Sequence, residues 1–189
     1  MRLLLLSLLL WLPVVDRAAA QPASPVDRSQ PLVEIKSDFG LVDGAAANGN
    51  VLYVPDVKAR QLWAYRPANE AAPWQMLIDQ AGGFSGTFFQ LGELYIADNP
   101  GGRILKLQGN RRTETWVTLA DGARPNDLVV DQRGNVYVTL TKEGEIRRIA
   151  PDGTVTTAAS GIETPNGITL SPDHSTLYVS AYKPGLVLQ

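Results

Sequence analysis

The sequence contains no cysteine and a single histidine, His174. The first absence excludes disulfide frameworks, thiolate metal sites and cysteine nucleophiles. The second excludes a multi-histidine metal centre and argues against a Ser-His-Asp triad. Charge of either sign is also in short supply: 17 Lys and Arg stand against 19 Asp and Glu, a net charge of −2, with no block of like charges. A basic footprint for nucleic acid is therefore missing, as is a polybasic patch for a membrane surface. No stretch carries a 3.6-residue apolar period long enough for a helix. The one apolar run, Leu3 to Val15, has 13 residues, short of the roughly 20 that span a bilayer. Arg2 precedes it and Ala18-Ala19-Ala20 follows, which predicts a signal peptide over 1–20, cleaved after Ala20. The mature chain is then expected to be secreted or periplasmic and free of the membrane. Residues 21–31, rich in Pro, Ser and charge, read as a linker.

What is present is turn chemistry and strand chemistry in alternation. Hydrophobic residues make up 44%, and 17 Gly with 13 Pro punctuate the chain. Val51-Leu-Tyr-Val54, Leu94-Tyr-Ile-Ala97, Val136-Tyr-Val-Thr139 and Leu177-Tyr-Val-Ser180 share one pattern. Their tyrosines, Tyr53, Tyr95, Tyr137 and Tyr178, are separated by 42, 42 and 41 residues. A fixed period of this size, built from β-formers and Gly/Pro/Asp turns, predicts an all-β fold, a β-propeller of four-stranded blades. In the third repeat the strands are expected at Asp127–Asp131, Asn135–Thr139, Glu145–Ile149 and Thr154–Ala158. The propeller domain is placed over 32–189, with blades near 41–83, 84–123, 124–163 and 164–189, about three and a half blades. Propellers close with four to eight, so the sequence reads as the N-terminal part of a longer ring. Leu32 to Ile35 read as an outer strand that would complete the last blade.

One polar position recurs. Asp43 and Ser85 lie 10 residues before their tyrosines, Asn126 lies 11 before and Asn166 lies 12 before; Gly44, Gly86, Asp127 and Gly167 follow them. Inner strands of a propeller line its channel, so equivalent positions on successive blades converge. Oxygen donors without Cys or His suit a hard divalent cation, Ca²⁺ first, then Mg²⁺ or Mn²⁺. Asp-Gly and Asn-Gly are also common turn pairs, and the residues alone leave the two readings level. His174, within Ser171–Ser175, reads as a turn residue. Trp63, Trp74 and Trp116 read as core between blades.

Arg124-Pro125-Asn126-Asp127 followed by Asp131-Gln-Arg-Gly-Asn135-Val-Tyr-Val resembles the gluconolactonase and regucalcin (senescence marker protein) family. Pro165-Asn166-Gly167-Ile168 followed by Ser171-Pro-Asp-His-Ser-Thr-Leu-Tyr-Val-Ser180 is similar to that family's next blade. The resemblance runs from about Val33 to Gln189. It implies a six-bladed propeller that hydrolyses sugar lactones or related esters with one divalent metal, Ca²⁺ ahead of Mg²⁺, Mn²⁺ or Zn²⁺. The substrate it implies is a small-molecule lactone or sugar-acid ester. Asn166 matches a family metal ligand, and Asp43 falls where the family has a ligand Glu. Asn126 matches an Asn beside the metal that also holds substrate or water, and Arg124 matches a substrate-contacting Arg. The family's remaining ligand, an Asp that also serves as general base, is expected beyond Gln189. Asp for Glu at position 43 and that missing Asp keep a second reading open, a non-catalytic secreted propeller that binds a ligand or protein partner.

Overall fold

A computed structural model describes Ser29 and residues 31–189; the expected signal peptide and most of the linker lie outside the described residues. The chain divides into two units, Met1–Ile35 and Lys36–Gln189. In the first unit, Leu32 to Ile35 form no strand, and Leu32 is fully exposed. The blade that this segment was expected to complete is not among the described residues.

The second unit is a β-propeller of four antiparallel sheets, each a simple meander. The first blade holds β1 (Ala46–Asn48), β2 (Val51–Asp56), β3 (Gln61–Tyr65) and β4 (Trp74–Ile78). The second holds β5 (Phe84–Gln90), β6 (Glu93–Asp98), β7 (Arg103–Leu107) and β8 (Thr113–Thr118). The third holds β9 (Pro125–Val130), β10 (Val136–Leu140), β11 (Glu145–Ile149) and β12 (Val155–Ser160), within one or two residues of the sequence reading. The last has three strands, β13 (Pro165–Leu170), β14 (Leu177–Ala181) and β15 (Leu186–Leu188). The first strands of successive blades lie side by side, β1 with β5, β5 with β9 and β9 with β13. Among the described residues no helix is long and apolar enough to cross a membrane.

Period-two alternation sends successive side chains to opposite faces of a blade, and each face packs on a neighbouring blade. In β9, Leu128 and Val130 join the core shared with the second blade, around Ile104, Val117 and Val138. Val129, between them, joins the core shared with the last blade, around Ile146, Ile168 and Val179. A third core, around Leu62, Phe84, Ile96 and Leu105, lies between the first two blades. Burying one such side chain stabilises by about 1.5–3 kcal/mol. The repeated tyrosine belongs to this scheme. Tyr53 packs in the core between blades one and two, stacked on Phe89 at 6.2 Å. Tyr95 is buried between blades two and three, edge-on to Trp116.

Trp63 and Trp74 depart from the sequence reading. Leu62 and Ala64 take the buried face of β3, so Trp63 points to the opposite one. With Phe39 the two tryptophans surround the Lys36 ammonium, whose distances to the three ring centroids are 4.8, 5.0 and 6.0 Å. Lys36 also pairs with Asp38.

Candidate metal and substrate site

The recurring polar pairs occupy one structural device. In β5, Phe84 pairs with Asp98 and Thr87 with Ile96, so Ser85 and Gly86 together face Ala97. In β9, Pro125 pairs with Leu140 and Leu128 with Val138, so Asn126 and Asp127 face Thr139. In β13, Pro165 pairs with Ala181 and Ile168 with Val179, so Asn166 and Gly167 face Ser180. The first blade follows suit: between the Val42–Asp56 bridge and the Ala46–Tyr53 pair, three residues face two. Each pair is a β-bulge. A bulge adds one residue to one strand and re-aims a side chain, a device frequent beside active sites.

The four bulges touch in sequence around the inner strands. A Cβ on Gly44 (φ +43°) would lie 2.4 Å from the Gly86 Cα. One on Gly86 would lie 2.5 Å from the Asp127 Oδ1 and 2.6 Å from its Cα, and one on Gly167 would lie 3.8 Å from the Asp127 Oδ2. At Gly44 and Gly86 the backbones approach too closely for side chains, while the 3.8 Å at Gly167 is ordinary contact. Hydroxyls tie them together. The Thr87 Oγ1 donates to the Gly44 carbonyl at 2.6 Å, the Ser85 Oγ to the Asn126 carbonyl at 2.5 Å, and the Thr139 Oγ1 to the Asn166 carbonyl at 2.6 Å. One residue earlier, the Asn99 Nδ2 and the Thr141 Oγ1 hold the Pro125 and Pro165 carbonyls.

The structure thus places Asp43, Asn126 and Asn166 at the starts of the inner strands of the first, third and fourth blades. Asp43 is exposed, and its Oδ1 accepts the Gly44 N–H at 2.9 Å. Asn126 and Asn166 are half-buried, and their side-chain amides make no hydrogen bond among the described residues. Arg124 stands exposed at the head of β9 with no ion pair among them. Ser85 does not join the set; its hydroxyl is buried and spent on the clamp. His174 sits in the β13–β14 turn at φ +58°, away from the bulges along the strand, and its N–H donates to the Ser171 carbonyl.

Asp127 is the residue that sequence reasoning passed over as a turn former. Its Oδ1 accepts the Leu128 N–H at 2.9 Å and its Oδ2 accepts the Ile168 N–H of the next blade at 3.1 Å. Burial pushes its carboxyl above the ordinary range, against those two backbone bonds, and the negative charge of Asp43 adds to the rise. The two acids repel one another, and neither is ion-paired to a Lys or Arg among the described residues. Among these residues no three His, Cys, Asp or Glu side chains group closely enough to hold a metal ion. A metal here would need amide oxygens as well, a donor set that would fit a hard cation such as Ca²⁺. By contrast Asp56, 2% exposed, accepts N–H bonds from Gly40, Leu41 and Ala59. Burial alone would raise its carboxyl, but these backbone donors outweigh it and hold it below the ordinary range.

Four-stranded antiparallel sheets whose inner strands lie side by side define the class of β-propellers. Within that class, residues 27–185 match the family described as the SMP-30/Gluconolactonase/LRE-like region, and the chain belongs to it. It is 30% identical to a gluconolactonase of Zymomonas mobilis over 187 residues, covering 82% of this chain and 52% of that one. It is 27% identical to the pentonolactonase XacC of Haloferax volcanii over 133 residues, 67% of this chain and 44% of that one. The chain therefore spans about half the length of these relatives. The fold is similar to the structure of a gluconolactonase from Xanthomonas campestris, with a TM-score of 0.68, 23% identity, and coverage of 77% of this chain and 56% of that one.

Proposed function

We propose that this chain supplies the metal- and substrate-binding bulges of a sugar-lactone hydrolase. The observation that carries the reading is the pair of half-buried Asn126 and Asn166 amides, unpartnered among the described residues, on bulges of the inner strands where the Asp43 charge also raises the Asp127 carboxyl. The relatives named for gluconolactone and pentonolactone hydrolysis support the substrate class. Asp43, Asn126 and Asn166 would hold one divalent cation, Ca²⁺ by its preference for oxygen donors. When bound, such a cation polarises the lactone carbonyl and stabilises the charge that develops on its oxygen. Arg124 orients the oxygens of the sugar with its guanidinium fork. Asn126, between Arg124 and the cation ligands, holds substrate or water, and the Asp127 charge draws a cation to the ring.

The test is release of acid from glucono-δ-lactone by the purified protein, with Ca²⁺ and with EDTA. Turnover that needs Ca²⁺ and falls at least ~100-fold in Asn166→Ala is expected, the scale of lost transition-state charge stabilisation. A rate in Ca²⁺ no higher than spontaneous hydrolysis, or one indifferent to both EDTA and Asn166→Ala, sinks the proposal.

A further inference from the structure

We infer that Thr139 is the positioning residue that fixes the two amide-bearing bulges to each other. Ser85, Thr87 and Thr139 are the buried Ser and Thr side chains of the described residues, and all three donate to carbonyls of the bulge pairs. Thr139 alone reaches both amide-bearing pairs. It sits on β10 directly opposite the Asn126-Asp127 bulge, where the extra residue leaves an N–H without a ladder partner. Its Oγ1 accepts that N–H, from Asp127, at 3.1 Å. Its own hydrogen goes to the Asn166 carbonyl at 2.6 Å, shorter than its 3.3 Å separation from the Asp127 carbonyl. One hydroxyl, acting as donor and acceptor at once, sets the third-blade bulge against the fourth-blade bulge.

The next blade shows the accepting half of the device by itself. The Ser180 Oγ, opposite the Asn166-Gly167 bulge, accepts the Gly167 N–H at 2.9 Å. The second blade shows what happens without it. Ala97 stands opposite the Ser85-Gly86 bulge, and that bulge carries no amide. Hydroxyls stand opposite the two bulges that present Asn and are missing opposite the two that do not, where Ala97 faces Ser85-Gly86 and Val54 and Pro55 face the first-blade bulge. The side chain of an Asn is aimed by its backbone, so loosening the bulge spreads the amide over several directions. Supporting residues of this kind typically change metal affinity by about 10–100-fold.

The inference rests on the proposed reading only where it concerns the cation; the coupling of the bulges is tested without one. Thr139→Val keeps shape and removes donor and acceptor, and Thr139→Ser keeps both. In EDTA, amide exchange at Asp127 and the side-chain amide resonances of Asn126 and Asn166 are followed by NMR. Thr139→Val is expected to speed exchange at Asp127 at least ~10-fold and to shift or broaden both Asn side-chain signals. Thr139→Ser is expected to leave them as in the parent. If Thr139→Val does not fold, Thr139→Cys, with its weaker donor and acceptor, carries the same reading. Unchanged exchange and unchanged Asn signals in the folded variant overturn the inference. Calcium titration then separates the two claims. Weaker Ca²⁺ binding in Thr139→Val, by about 10–100-fold, with recovery in Thr139→Ser, extends the inference to the cation. Parent-like Ca²⁺ binding in Thr139→Val, with binding lost in Asn166→Ala, overturns the extension and keeps the site. No Ca²⁺ binding by the parent overturns the cation reading and leaves the metal-free result to decide the coupling.

Discussion

The bulge of the second blade and that of the third have the same geometry and opposite uses. Each places two residues against one across the first two strands. In the second blade the first of the pair is Ser85, turned inward, 4% exposed and bonded to the Asn126 carbonyl. In the third it is Asn126, half-buried, with a side-chain amide that no described residue occupies. The second member differs as sharply. Gly86 leaves the space that the Asp127 side chain fills. Four repeats of one device thus divide into clamps and presenters, and the side chain decides which. The bulge makes a site available; chemistry is assigned one residue at a time.

The strongest way to break this division is to fill the gap at Gly86. A Cβ there would lie 2.6 Å from the Asp127 Cα and 3.0 Å from the Asn126 carbonyl oxygen, atoms of backbone that cannot rotate away. Gly86→Ala is expected to cost about 3 kcal/mol, at the upper end for overpacking, and to displace Asn126 and Asp127 together. Thermal unfolding measures the first effect and the NMR signals of Asn126 the second. A variant as stable as the parent, with the Asn126 side-chain signals in place, would show that the two blades are not in contact through Gly86.

The period of the tyrosines was legible because the position recurs once per blade; Tyr53, Tyr95 and Tyr137 fill the contact between one blade and the next, while Tyr178 is exposed. Asn126 and Asn166 were legible as candidates for the same reason. The bulges were not, because a bulge is a two-against-one count across partner strands and the sequence shows only one strand at a time. Asp127 was hidden by this: as the residue after Asn126 it passes for half of a turn pair, while in the structure it bridges to the Ile168 N–H of the next blade. Trp63 was misplaced although the pattern to place it was present, since Leu62 and Ala64 flank it and take the buried face of β3. Leu32 to Ile35 have the composition of a strand, but composition does not show which edge a strand would pair with.

A second test sharpens the contrast between a carboxylate that presents and one that clamps. The carboxyl of Asp127 is held above its ordinary value, by burial first and Asp43 second. Its protonation is therefore favoured by folding, and the stability it lends is full below the unfolded-state value and is lost as pH rises through the folded one. Asp56 runs the other way. Its carboxyl lies below the ordinary range, so its contribution is present above the unfolded-state value and is lost as pH falls through the folded one. In EDTA, Asp56→Asn is expected to destabilise by about 1.5–3 kcal/mol at neutral pH, the scale of hydrogen bonds to a charged group. That loss shrinks as pH falls below 3.8, the ordinary value. Relative to the parent, Asp127→Asn gains stability as pH rises above 3.8, through the raised folded-state value. Denaturant titrations from pH 3 to 7 read both, and parallel profiles for the two variants would refute the assignment.

The smallest expected effect separates a hydroxyl that satisfies one group from one that joins two blades. The Ser180 Oγ accepts the Gly167 N–H at 2.9 Å, and its contact with the carbonyl of the same residue is long, 3.4 Å. Ser180 is half-buried, so water can take over the freed N–H. The Ser85 Oγ, in contrast, serves a carbonyl of the next blade from a buried position. Removing a buried partner leaves the other group with its full desolvation penalty, about 1–3 kcal/mol. Ser180→Ala should cost about 0.5–1 kcal/mol, the worth of one ordinary hydrogen bond, and Ser85→Ala clearly more. Equal losses for the two in denaturant titration would mean that neither burial nor the span between blades sets the value of these hydroxyls. A larger loss for Ser180→Ala would reverse the division, making the fourth-blade bulge the one on which the packing of the inner strands depends.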